Sequence, residues 1–215
     1  MATPGKFVTV VAEATGLPHS TVVFHDRYLV AAGLRTKGAR GINAPNVTAC
    51  DGAHLLTAIL ASAEVRDSVQ SVKRYEKTRP NRTSSGTDGF KRCGIKELAQ
   101  LPPRHSFLDA LEALLMAAAS GTMPKSAVVE VAALTPGTIG DIRLAGLGNK
   151  STVHVRYAEP SPWDSKKEPS AREVAAWEAK MKKHQAATDL EQYRRVSART
   201  IFTLGESLAP NDGGN

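Results

Sequence analysis

A glycine-rich turn followed by lysine and serine can cradle a phosphate, and residues 146–152, GLGNKST, have that composition. A P-loop needs four residues between its first glycine and the Gly-Lys pair, and a helix behind it. Here the alternating run Val153-His-Val155-Arg-Tyr157 follows, so the segment reads as a hairpin turn. His25 and Asp26 could be a base and its orienting carboxylate, yet adjacent residues on a helix point about a hundred degrees apart and do not face each other. Cys50 and Cys93 fall in no Cys-x-x-Cys or zinc spacing, and the six histidines at 19, 25, 54, 105, 154 and 184 contain no His-x-x-x-His pair. Neither a Gly-x-Ser-x-Gly elbow nor the carboxylate cluster of a two-metal nuclease is present. These spacings predict no catalytic residues, no metal and no cofactor: the chain is not expected to be an enzyme.

What remains is chemistry suited to nucleic acid. Residues 7–41, FVTVVAEATGLPHSTVVFHDRYLVAAGLRTKGARG, read as two short helices around a turn, then a basic, glycine-bearing loop. Ala12 sits where two helices cross, Gly16 in the turn, Val22 opposite Ala12, and Leu29 extends the same stripe. Gly33 ends the second helix and Leu34 seals it. This pattern resembles the winged helix-turn-helix regulators of bacteria and their phages. A small-residue helix, a Thr-Gly turn, a Ser-Thr-Val helix start, a buried Leu and a terminal Gly-Leu recur there. The resemblance covers residues 7–41 only. It implies that the helix beginning near Pro18 reads DNA, with His19, Ser20, Thr21 and His25 toward the bases and Arg27 on a base or a phosphate. Arg35, Lys37 and Arg40 would touch the DNA backbone or minor groove from the wing. His25 and Asp26 depart from the family pattern, which places apolar residues there.

Charge points the same way. The chain carries a formal net charge of +7 at a sequence pI near 9.5, which favours a polyanionic partner such as double-stranded DNA. The excess is concentrated in residues 61–105, with ten Lys/Arg against five Asp/Glu. Within it, 73–92 is basic, rich in Ser, Thr and Gly, and interrupted by Pro80. It reads as a linker or mobile arm whose Lys73, Arg74, Lys77, Arg79 and Arg82 lie along phosphates. No apolar run approaches a membrane span and no secretory signal is evident, so a cytoplasmic protein with no membrane partner is expected.

These groups need elements to hold them. Thr48, three residues before Asp51, predicts a helix start. Leu55, Leu56, Ile59 and Leu60, then Val65, Val69 and Val72, continue at helical spacing with a break near Ser62, giving one long helix or two. Such a helix serves equally as a dimer contact or as the third element of a core. Ser106 predicts the cap of a helix ending at Gly121. Strands are expected over 127–134, 142–144 and 153–157. Ile142, Leu144, Val153, Val155 and Tyr157 should face a helix, and Arg143, His154 and Arg156 should share the outer face. Ser170 and Glu173 form a capping box for a helix to about Asp189, with Val174, Trp177, Met181 and His184 on its docking side. A strand and a short helix complete the chain.

The expected fold class is therefore α+β, mainly α: an N-terminal winged helix-turn-helix domain plus a smaller helix-and-β-hairpin C-terminal module. The expected division is 1–78 for DNA binding, 79–105 as basic linker, 106–209 for oligomerisation or partner binding, and 210–215 as disordered tail. The expected function is a sequence-specific DNA-binding transcription regulator, bacterial or prophage, acting as a homo-oligomer with a dimer favoured. The alternative is a phage small-terminase-like DNA-packaging component.

Overall fold

The computed structural model describes residues 2–36, 46–81, 86–135, 137–147, 152–164, 168–185 and 191–210. The first helix, α1 (Pro4–Thr15), starts on a proline and stops at Gly16, whose φ of +71° is a left-handed conformation that glycine enters without strain. α2 (His19–Ala31) ends in a Schellman motif: the Leu34 amide donates to Leu29 and that of Gly33 to Val30, with Gly33 again at φ +71°. Helix α3 (Ala49–Ala61) opens with a capping box between Thr48 and Asp51, as the spacing predicts. Ten of its thirteen residues are buried, so it is a core element. The break falls at Ser62. A short 3-10 turn (Val65–Asp67) then leads into α4 (Ser68–Tyr75), making two helices of the expected long one.

The expected basic linker is not a linker over its described part. Arg79–Pro80 forms β1, which pairs antiparallel with Val153–Ala158 (β4), and short helices α5 (Gly86–Lys91) and α6 (Lys96–Ala99) follow. Tyr75 and Thr78 are fully buried. The Tyr75 hydroxyl donates toward the carbonyls of Leu134 at 3.0 Å and Ile139 at 2.9 Å, and Thr78 Oγ1 donates to Tyr75 while accepting from the Phe107 amide. Pro80 is accommodated because β1 is an edge strand.

Helix α7 (Phe107–Ser120) begins on the Ser106 capping box and ends at Gly121, as expected. β2 (Val128–Thr135), β3 (Ile139–Ala145) and β5 (Gln192–Ser197) complete an antiparallel sheet of order β1-β4-β3-β2-β5. Ile142, Leu144, Val153, Val155 and Tyr157 face inward, while Arg143, His154 and Arg156 stand on the outer face, matching the alternation in the sequence. β3 and β4 pair antiparallel from Ile139↔Ala158 to Leu144↔Val153, while 148–151 of the expected hairpin turn lie outside the described residues. Helix α8 spans Ala171–Gln185. It packs on a 3-10 turn (Pro162–Asp164) through Trp177 against Trp163, and Lys180 pairs with Glu159.

Helix α9 (Ala198–Leu208) follows β5 directly and closes the fold. It packs on both α7 and α1, the Ala2 amide donates to Ser207, and Thr200 Oγ1 donates to Ala14. One buried apolar cluster runs from Ala2 through α3 and α7 to Leu208. The described residues of the two expected modules thus share a core. Among the described residues the architecture is α+β with one five-stranded sheet; the tail at 211–215 lies outside them. The α7/α9 crossing is close because of Gly205: a Cβ there would stand 2.9 Å from the Ala118 carbonyl carbon and from the Ala119 nitrogen. Gly205→Ala is therefore expected to destabilise the protein by about 1–3 kcal/mol despite the higher helix propensity of alanine, read as a lower urea midpoint. An unchanged or higher midpoint would show that the crossing relaxes freely.

Candidate functional site

α2 is held by one stripe. Val22, His25 and Leu29 are its buried residues, and the opposite stripe carries Ser20, Phe24, Arg27 and Tyr28, with His19 at its edge. Phe24 and Tyr28 are 50% and 44% exposed, and the Arg27 guanidinium lies 5.9 Å from the Phe24 ring centre. Of the residues expected to read bases, His19, Ser20 and Arg27 are thus on the outward side. Phe24 and Tyr28 belong with them, four and eight residues beyond Ser20. The i, i+4, i+8 spacing of Ser20, Phe24 and Tyr28 is the sequence signal that puts them on one face.

Two expected DNA contacts lie inside the fold. His25 is buried, and its Nδ1 is 2.7 Å from Ser68 Oγ. Because the Ser68 hydroxyl donates to the Val65 carbonyl, His25 must donate from Nδ1, which fixes the neutral tautomer with Nε2 as acceptor. Burial and the nearby Arg194 guanidinium push the imidazole down to about 4. Arg35 is buried too, with its Nη1 2.8 Å from Asp26, so it anchors the end of α2 instead of reaching a phosphate. Burial raises the Asp26 carboxyl above its usual range, against the lowering effect of Arg35. Thr21 is half-buried and lines a cleft behind α2.

Lys37 and Arg40, and with them the expected wing, lie outside the described residues, as does Arg82. The flanks of that stretch are fixed by one carboxylate. Asp51 accepts from Thr36 N at 2.8 Å and Thr36 Oγ1 at 3.1 Å, and from Thr48 N and Oγ1, both at 2.9 Å. Burial alone would raise Asp51, but these hydrogen bonds prevail and hold it below the ordinary range. Among the remaining expected contacts, Lys73 and Lys77 are exposed. Arg74 and Arg79 are half-buried and folded back, Arg74 donating to Ser71 Oγ and Arg79 to the carbonyls of Glu76 and Thr78.

Other chemistry is ruled on by geometry. Cys50 and His54, one helical turn apart, bring Sγ to 4.0 Å from Nε2, the arrangement of a thiol and a base. Burial and the carboxylates of Glu112, Asp51 and Asp109 push that thiol up to about 11, the reverse of an activated nucleophile. Among the described residues no group of three His, Cys, Asp or Glu could hold a metal, and no helix is long and apolar enough to cross a membrane. The cations on the outer sheet face are matched by carboxylates. Asp141, buried between them, accepts from Arg156 Nε at 3.0 Å and lies 2.7 Å from His154 Nε2. Glu130 pairs with Arg143 at 3.4 Å and Arg195 at 3.0 Å.

Comparison of the chain with protein-family models, with curated proteins and with solved structures returns no match.

The buried His25 gives a signed pH dependence. Its folded value lies below the 6.5 of a free histidine, so the unfolded chain takes up the proton first. The contribution is whole above pH 6.5 and drains as pH falls from 6.5 toward 4, by on the order of 2–3 kcal/mol. Burial also lowers His105, whose ring bridges the Pro102 carbonyl and the Tyr157 hydroxyl, so it adds to the same slope. His25→Asn keeps a donor for Ser68 and should flatten part of that slope in urea titrations at pH 7 and pH 4.5. An unaltered slope would assign the acid sensitivity elsewhere.

Proposed function

We propose that this chain binds double-stranded DNA and reads its sequence with α2, acting as a transcription regulator of bacterial or prophage type. The observation that carries the reading is the asymmetry of α2: three of thirteen residues are buried, and the opposite stripe presents Ser20, Phe24, Arg27 and Tyr28 together. A helix with one anchored face and one outward face of this chemistry fits a major groove. Arg27 would meet guanine O6 and N7, Ser20 a base edge, and the rings of Phe24 and Tyr28 thymine methyls and sugars. Arg27 has no carboxylate partner among the described residues, unlike Arg143, Arg156 and Arg195 on the sheet. Its charge is available to a ligand. Lys73 and Lys77, exposed on α4 and just after it, would supply phosphate contacts, and Lys37 and Arg40 others beyond the anchored Thr36. A homodimer would engage two half-sites about one helical turn apart.

The test is selection of bound duplexes from a random library, followed by titration of the selected and a scrambled duplex at two salt concentrations. Arg27→Ala should weaken the selected site by about 1–3 kcal/mol, roughly tenfold to a hundredfold, and the scrambled one far less. Lys77→Ala should weaken both alike and reduce the salt slope by about one. Indistinguishable behaviour of the two variants, or no enrichment from the library, would overturn the reading. A closed ring larger than a tetramer in the complex would turn it toward DNA packaging.

A further inference from the structure

A cleft of about 560 Å³ lies between α2, the C-terminal end of α3 and β5, within the size range of small-molecule sites. Leu17, Ile59, Leu60, Val65 and Val196 make its walls apolar. Its polar end has hydrogen-bonding groups left over. Ser62 is 1% exposed and lines the cleft, and its Oγ has no hydrogen-bond partner among the described residues. A buried hydroxyl left unpaired costs stability, and such groups in native folds call for an explanation. The backbone of Ser62 needs nothing more, since its amide donates to Ala58 and its carbonyl accepts from Arg194.

Arg194 supplies the second group. Its Nη1 donates to the carbonyls of Ile59 and Ser62, both at 2.9 Å, and its Nη2 to Gln192 Oε1 at 2.6 Å. Those three acceptors are uncharged, and two of its five N–H donors remain. The other charges near the cleft are spent: Glu64 pairs with Arg66 and Arg195 with Glu130, while His25 stays neutral at physiological pH. The cleft therefore carries one positive charge that no described carboxylate neutralises. A cation at a helix C-terminus is an ordinary cap, which accounts for Arg194. It does not account for the unpaired hydroxyl of Ser62, whose carbonyl Arg194 holds.

We infer that this cleft binds a small monocarboxylate with an apolar body, its carboxylate accepting from Arg194 and Ser62 and its hydrocarbon lying on Leu17, Ile59, Leu60, Val65 and Val196. One guanidinium, already half engaged, matches a single negative charge, and the apolar walls suit a body of alkyl or aryl carbon and not a sugar or a nucleotide. The inference does not depend on DNA binding, although Thr21 and His25 of α2 line the same cleft.

The test titrates the full chain with hexanoate and phenylacetate, and in parallel with hexanamide and phenylacetamide, following backbone amide resonances. The acids should shift Ser62, Ala63 and Val196 saturably, and their amides should bind at least about tenfold more weakly. Ser62→Ala should weaken the acids several-fold, and Arg194→Gln should erase the preference for acid over amide. Should Arg194→Gln fail to fold, the acid-to-amide ratio in the unmodified protein and in Ser62→Ala decides alone. Equal binding of acids and amides, shifts confined to other residues, no saturable shift, or full acid affinity in Ser62→Ala would each overturn the inference.

Discussion

The C-terminus of α3 is the constraint on which the arrangement turns. A helix whose last turn is buried leaves carbonyls that water cannot reach, and each must find a donor. Here the donors come from three separate elements. Ala61 accepts from Ser71 of α4 at 3.1 Å and from Thr135 of β2 at 2.9 Å, and Arg194 of β5 takes Ile59 and Ser62. Satisfying them fixes where β2 and β5 sit along the helix axis and where the chain turns into α4. A sheet that slipped by one residue would carry Thr135 and Arg194 to its outer face and leave the carbonyls bare. The apolar contacts of Leu55, Leu56 and Ile59 supply bulk attraction, but they tolerate sliding; the polar ends do not.

With α3 fixed, α2 is positioned through very little. Its buried side chains are two aliphatics and an imidazole, and the imidazole reaches Ser68, hence Val65 and the turn leading into α4. A buried histidine in the middle of a helix–helix contact is a poor source of stability compared with leucine, since its desolvation must be repaid by hydrogen bonding. It is a good source of register, because the bond to Ser68 forms at one rotation of α2 only. That rotation is the one that turns Ser20, Phe24, Arg27 and Tyr28 away from the core. The departure from an apolar residue at position 25 thus serves orientation, and the pairing of Asp26 with buried Arg35 serves it again one turn before the helix ends.

Local signals in the sequence were reliable where the partner is a few residues away. Thr48 with Asp51, Ser106 with Asp109, Gly33 with Leu34, and the alternation in β3 and β4 all fold as their spacing predicts, because each bond closes within one turn or one strand pair. Misreadings share one cause: the deciding partner is distant in the chain. Tyr75 meets carbonyls 59 and 64 residues away, which turns an apparent linker into core. His25 meets Ser68 across 43 residues, and Arg194 meets α3 across more than a hundred. Arg35 looks like a wing cation in one dimension and is an internal anchor in three. No periodicity encodes such pairings, and none announces that α1 lies on α9 at the other end of the chain.

Charge placement separates structural cations from available ones. Arg143, Arg156 and Arg195 line one sheet face against Glu130 and Asp141, so two carboxylates offset most of the charge of the three arginines. Arg35 is neutralised by Asp26. Other cations have no such match: among the described residues Arg27, Lys73 and Lys77 are exposed with no ion-pair partner, as are Lys6, Arg104, Lys125 and Arg199 elsewhere on the surface. Unpaired surface cations repel one another and destabilise the fold slightly, a cost that a polyanion removes by releasing its own counterions. The sheet arginines already face carboxylates and would gain less from such a partner than Arg27, Lys73 and Lys77, whose charges have no ion-pair partner among the described residues.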